Sequence, residues 1–89
     1  MFNKRRSEIQ IIKDILKLSK NGAKKTEILH QGNMSFTQLQ SYLSYLIENK
    51  VIEENDNRKS NGAKNKIYVT TEKGISLLQD INNLYAYFK

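Results

Sequence analysis

The stretch Val51-Ile52-Glu53-Glu54-Asn55-Asp56-Asn57-Arg58-Lys59-Ser60-Asn61-Gly62-Ala63-Lys64-Asn65-Lys66-Ile67-Tyr68-Val69-Thr70 decides how this chain reads. Two short β-branched runs, Val51–Glu54 and Ile67–Thr70, flank a polar loop that contains Asn61-Gly62. Strand-like runs joined by a glycine-containing loop predict a β-hairpin. The connecting stretch, Asn55 to Lys66, carries Arg58, Lys59, Lys64 and Lys66 against the single acid Asp56. A hairpin tip this basic calls for an anionic partner such as phosphate.

Upstream of the hairpin the apolar spacing is helical. Ile9, Ile12 and Leu16, beside Ile11, Ile15 and Leu18, form one broad face over about 7–20. Ser7 is placed to cap that helix, and Asn21-Gly22 to end it. Ala23 to Gln31 reads as a short second helix with Ile28 and Leu29 inward, closed by Gly32-Asn33. Ser35-Phe36-Thr37-Gln38 has the form of a capping box, and Met34 before it could staple onto Leu39. The third helix then runs to Asn49-Lys50. Phe36, Leu39, Leu43, Leu46 and Ile47 are its expected buried stripe. Its expected outer face carries Thr37, Gln38, Gln40, Ser41, Ser44, Tyr45 and Glu48. Downstream, Thr71 and Glu72 open a last helix to about Tyr87. Leu77, Ile81, Leu84 and Phe88 repeat in a heptad-like 4, 3, 4 spacing, with Ile75, Leu78 and Tyr85 as a second row.

The element order is therefore α-α-α-β-β-α in a single α+β domain over residues 1–89. It divides into a basic arm (1–6), a helix-turn-helix with a basic hairpin (7–70) and a C-terminal helix (71–89). That is the layout of a winged helix-turn-helix. The second helix of such a pair, here the one starting at Phe36, enters the DNA major groove.

Composition agrees with an anionic partner. The 89 residues carry a net charge of +6 and no cysteine, which points to nucleic acid and removes disulfides and thiolate chemistry. No apolar run reaches membrane-spanning length. Lys4-Arg5-Arg6 is not followed by the long apolar run of a signal peptide. The chain is expected in the cytoplasm, associated with the nucleoid. His30 is the lone histidine, so no His-His metal site can form. No nucleophile elbow and no phosphate-binding glycine loop is present. The sequence gives no sign of an enzyme, a cofactor, a metal or a small-molecule ligand.

Residue types then assign contacts. Ser35, Thr37, Gln38, Gln40, Ser41, Ser44 and Tyr45 are the candidate groove-facing set, since Gln pairs with adenine edges and Ser or Thr contacts bases or phosphate. Arginine is missing from this helix, which predicts weak discrimination or a tilt to A·T sites. Lys24, Lys25 and Thr26, at a helix N-terminus, should grip backbone phosphate. Arg58, Lys59, Lys64 and Lys66 should reach the adjacent minor groove or its phosphates. Leu77, Ile81, Leu84, Tyr85 and Phe88 are the candidate homodimer interface, because an aromatic cluster at an open helix end would otherwise be an exposed apolar patch.

Asn21-Gly22-Ala23-Lys24-Lys25-Thr26-Glu27-Ile28-Leu29, then Gly32-Asn33-Met34-Ser35-Phe36-Thr37-Gln38-Leu39 with Tyr42-Leu43 and Leu46-Ile47, resembles the archaeal winged helix-turn-helix DNA-binding proteins. Tyr68-Val69-Thr70-Thr71-Glu72-Lys73-Gly74 is similar to that family's passage from wing strand into last helix. The likeness covers about Asn21 to Leu78. It extends to the small chromatin-type proteins of Sulfolobus, which dimerise through a long C-terminal helix in an antiparallel coiled coil. The resemblance implies double-stranded DNA binding by a homodimer, as transcriptional regulator or chromatin component. Here the last helix reads as ending near Phe88, which shortens any coiled coil, and the wing loop is longer and more basic. The competing reading is a protein–protein interaction module of a transcription complex, since winged helices also dock on proteins.

Overall fold

The computed structural model describes residues 8–57 and 65–87. The elements follow the order α1 (Glu8–Leu18), α2 (Lys25–Gly32), α3 (Phe36–Glu48), β1 (Ile52–Asn57), β2 (Asn65–Thr70) and α4 (Glu72–Tyr87). The hairpin is antiparallel, in a register that pairs Ile52 with Thr70, Glu54 with Tyr68 and Asn57 with Asn65. Its strands are longer than the β-branched runs alone, because Asn55–Asn57 and Asn65–Lys66 continue the ladder. Ser7 and the expected cap it provides lie outside the described residues.

The helix starts follow their local chemistry. Ser35 caps α3, its Oγ accepting from the Gln38 N–H at 3.1 Å. At α2 the backbone N–H of Lys24 donates to Glu27 Oε1 at 2.8 Å, so an acid sits against the helix N-terminus where the macrodipole favours it. Between α2 and α3, Asn33 takes a left-handed conformation with φ 52, which asparagine tolerates better than most residues.

Ala23 was expected to open the second helix, but it does not. The chain leaves α1 through Gly22 at φ +95, and Ala23 instead pairs with β2. Its N–H donates to the Tyr68 carbonyl at 2.9 Å and its carbonyl accepts from the Tyr68 N–H at 2.8 Å. This bridge adds a third extended segment beside the hairpin and fixes the hairpin base to the helical part.

A second tie lies beside it. Thr70 donates its backbone N–H to the Ser19 carbonyl at 3.0 Å and its hydroxyl to the Leu16 carbonyl at 2.7 Å. Leu16 is in the last turn of α1, where carbonyls have no partner within the helix. The core joins α1, α2, α3, the hairpin base and α4 through Ile11, Ile15, Leu16, Ile28, Leu39, Leu43, Leu46, Ile52 and Leu78.

Gly74 sets how closely α4 can approach. A Cβ there would run into the Val51 carbonyl oxygen and would meet Thr70 Cγ2 at 2.6 Å. The buried residues of α4 are Gly74, Leu78 and Ile81, an i, i+4, i+7 stripe.

Candidate nucleic-acid interface

The outer face of α3 is polar and accessible. Ser35, Thr37, Gln40, Ser41, Ser44 and Tyr45 are exposed, and Gln38 is half-buried. Leu39, Leu43 and Leu46 turn the opposite way into the core, which leaves a ridge of small polar side chains facing out. Tyr45 and Ser41 also line an open cleft of about 510 Å³ with Glu8, Ile9, Ile12 and Tyr42. Burial raises the Tyr42 phenol pKa above its usual value, and the nearby Glu8 charge adds to the shift.

Phe36 corrects the sequence reading. Its spacing with Leu39 and Leu43 placed it in the buried stripe, yet the residue is 58% exposed. As the first residue of α3 it overhangs the core, and Leu39 is the first residue of the helix that is buried.

Lys24 and Thr26 are exposed at the start of α2, and Lys25 is half-buried. Lys25 is engaged within the chain. Its Nζ donates to Gln40 Oε1 at 2.7 Å and lies 5.3 Å from the centroid of the Phe36 ring. It also lies 6.0 Å from the centroid of the Tyr68 ring. Lys25 therefore joins α2, α3 and β2 at one point. Among the expected N–H donors at this helix end, that of Lys24 is already taken by Glu27.

On the hairpin, Lys66 is exposed and lies 3.6 Å from Glu54 Oε1. The Tyr68 hydroxyl donates to the other oxygen of Glu54 at 2.9 Å. Burial pushes the Tyr68 pKa up to about 12, with the Glu54 hydrogen bond and its charge adding to the shift. The hairpin register makes this set, since it places Glu54 directly across from Tyr68. The sequence alone offered no signal for that pairing. Arg58, Lys59 and Lys64 lie outside the described residues, as do Lys4, Arg5 and Arg6.

The candidate interface on α4 divides. Ile81 is buried within the single chain at 4% exposure, so it serves the domain and is removed from the expected interface. Leu77 is half-buried against the core. Tyr85 packs beside α1, with Lys13 Nζ 5.1 Å from its ring centroid. Leu84 at 50% and Tyr87 at 83% are exposed. Phe88 lies outside the described residues. His30 is exposed at the end of α2.

The amino-acid sequence matches the winged helix-turn-helix family over residues 5–88. The chain belongs to that family. A relative in Methanocaldococcus jannaschii, an uncharacterised protein, is 35% identical over 82 residues. The match takes in 91% of this chain but 35% of that protein, so the chain spans about a third of its relative's length. Among solved structures, Sso10a-2, a DNA-binding protein from Sulfolobus solfataricus, superposes with a TM-score of 0.80 at 23% identity. That match covers 92% of this chain and 81% of the other. The circadian clock associated protein Pex from Anabaena gives 0.68 at 19% identity, over 91% and 77% of the two chains. Lactococcus lactis ZitR, solved in complex with DNA, gives 0.64 at 13% identity, over 98% and 60%. No helix among the described residues is long and apolar enough to cross a membrane.

Proposed function

We propose that this winged helix binds double-stranded DNA, as a homodimeric transcriptional regulator or nucleoid component. The observation that carries the reading is the outer face of α3. Thr37, Gln40, Ser41 and Ser44 project from a helix whose other face is locked into the core. That is the presentation a recognition helix needs in a major groove. Lys24 and Thr26 flank this face from α2 and position the helix on phosphate, while Lys66 and the basic hairpin tip contact the minor groove or its phosphates. Sso10a-2, a DNA-binding protein, and ZitR, solved in complex with DNA, support the same reading.

Homodimerisation rests on the end of α4. Leu84 and Tyr87 are large, exposed and close in sequence, and pairing with a second copy would withdraw them from water. With Ile81 committed to the domain, the contact is centred on Leu77, Leu84 and the residues beyond.

The test is fluorescence anisotropy with random and AT-rich duplexes across a salt series, with the mass from light scattering in the same buffer. The reading expects affinity that falls steeply with salt and twice the chain mass. Equal affinity for the two duplexes points to a chromatin role, and a marked difference to a regulator. No binding at low salt sinks the DNA reading and directs the search to a protein partner.

A further inference from the structure

Phe36 is an apolar ring left in water at the start of α3, at the border between the buried stripe of Leu39 and Leu43 and the polar face that begins at Gln40. It is the first residue of α3 and 58% exposed. The N-terminal residues of a recognition helix are the ones that reach base edges. The ring is also held. Lys25 Nζ lies 5.3 Å from its centroid, and that ammonium is itself pinned by Gln40 Oε1 at 2.7 Å. An ammonium over a ring attracts its electron-rich face, modestly at an exposed site, so the pair favours one orientation of the ring.

We infer that Phe36 is a specificity-determining residue that reads thymine through its C5 methyl group. The inference rests on the DNA-binding reading and adds to it the base that is read and the group that reads it. The thymine methyl is the apolar feature that base edges present in the major groove, and phenylalanine is among the side chains that contact it. The rest of α3 fits the same preference. It carries neither arginine nor lysine, so the commonest guanine contact is missing. Lys25 has three donors, one of them taken by Gln40. The others can meet a phosphate at the groove edge while the ring meets the base.

The test compares a duplex of alternating adenine and thymine with the same duplex carrying deoxyuridine at every thymine. The exchange removes each C5 methyl and keeps base pairing and phosphates. Wild-type protein is expected to bind the deoxyuridine duplex about fourfold more weakly for each methyl contacted, the factor for one such group withdrawn from water. Phe36→Ala should bind the thymine duplex more weakly by a similar factor and no longer distinguish the two. Phe36→Leu should keep part of the preference. Comparing the thymine-to-deoxyuridine ratio between wild type and Phe36→Ala cancels any effect of the exchange on the DNA itself. The wild-type arm stands even if a variant folds poorly. Binding with the same ratio in wild type and Phe36→Ala, or with no preference in wild type, overturns this inference and leaves the DNA reading intact. No binding of wild type to either duplex at low salt overturns both.

Discussion

Thr70→Val tests how the wing is held to the helices. The hydroxyl of Thr70 donates to the Leu16 carbonyl at 2.7 Å, and Thr70 is 6% exposed. Valine keeps the size and branching but has no donor. The substitution strands a carbonyl of the last turn of α1 away from water, which costs about 1–3 kcal/mol. The added methyl returns up to about 0.8 kcal/mol. The net expected loss is about 1–2 kcal/mol, a large fraction for a domain whose total stability is of order 5–10 kcal/mol. Urea unfolding followed by circular dichroism should show a lower midpoint with an unchanged slope. The thermal midpoint should fall by roughly 5–10 °C for a chain of this size. A loss below about 0.3 kcal/mol, or a gain, would mean that the Leu16 carbonyl does not depend on Thr70 and that the argument for this tie is wrong.

Ser19→Ala should act in the opposite direction. Among the described residues the buried Ser19 hydroxyl has no hydrogen-bond partner, so its removal should raise stability by about 1 kcal/mol in the same urea assay. Gly74→Ala should destabilise by about 1–3 kcal/mol despite alanine's better helix propensity, because its methyl group meets the Val51 carbonyl and Thr70; a stabilised variant would refute the close approach of α4. Tyr68 sets an alkaline limit. Its pKa is about 12 in the fold against the ordinary 10.0, so between those values the unfolded chain has lost the proton that the folded chain keeps. Stability is full below about pH 10 and falls by about 2–3 kcal/mol as pH rises through about 12. Tyr68→Phe should flatten that part of the profile, and an unchanged profile would show that Tyr68 is not its source. Glu54→Gln removes the acid beside Lys66 and should strengthen DNA binding at low salt and steepen the salt slope by up to about 1; weaker binding would show that Glu54 serves chiefly to place Tyr68.

Much of the fold was legible in local patterns. The capping serine at 35 and the apolar rhythm of Leu39, Leu43 and Leu46 mark α3 correctly. What the sequence could not supply was tertiary. Ala23 looks like the start of a helix, but its backbone groups are claimed by Tyr68, 45 residues away by their numbers. The heptad-like row on α4 suggested that Ile81 was available to a partner. The observed stripe runs through Gly74, Leu78 and Ile81 instead, because the gap left by glycine lets that face seat closest to the hairpin base. Phe36 has the spacing of a core residue and lies one turn before the point where the core begins. The residue types on the outer face of α3 were readable as a candidate site. The engagement of Lys25 with Gln40, Phe36 and Tyr68 required the packing of three elements.

The most direct test of the central claim is an amide chemical-shift titration of the labelled protein with an AT-rich duplex at low salt. The account expects the perturbed residues to cluster at Lys24–Thr26, at Ser35–Ser44 and between Asp56 and Lys66, with α4 silent beyond any dimer contact. Perturbations confined to α4 or to the face of α1 opposite α3, or none at all with duplex in excess, would contradict it.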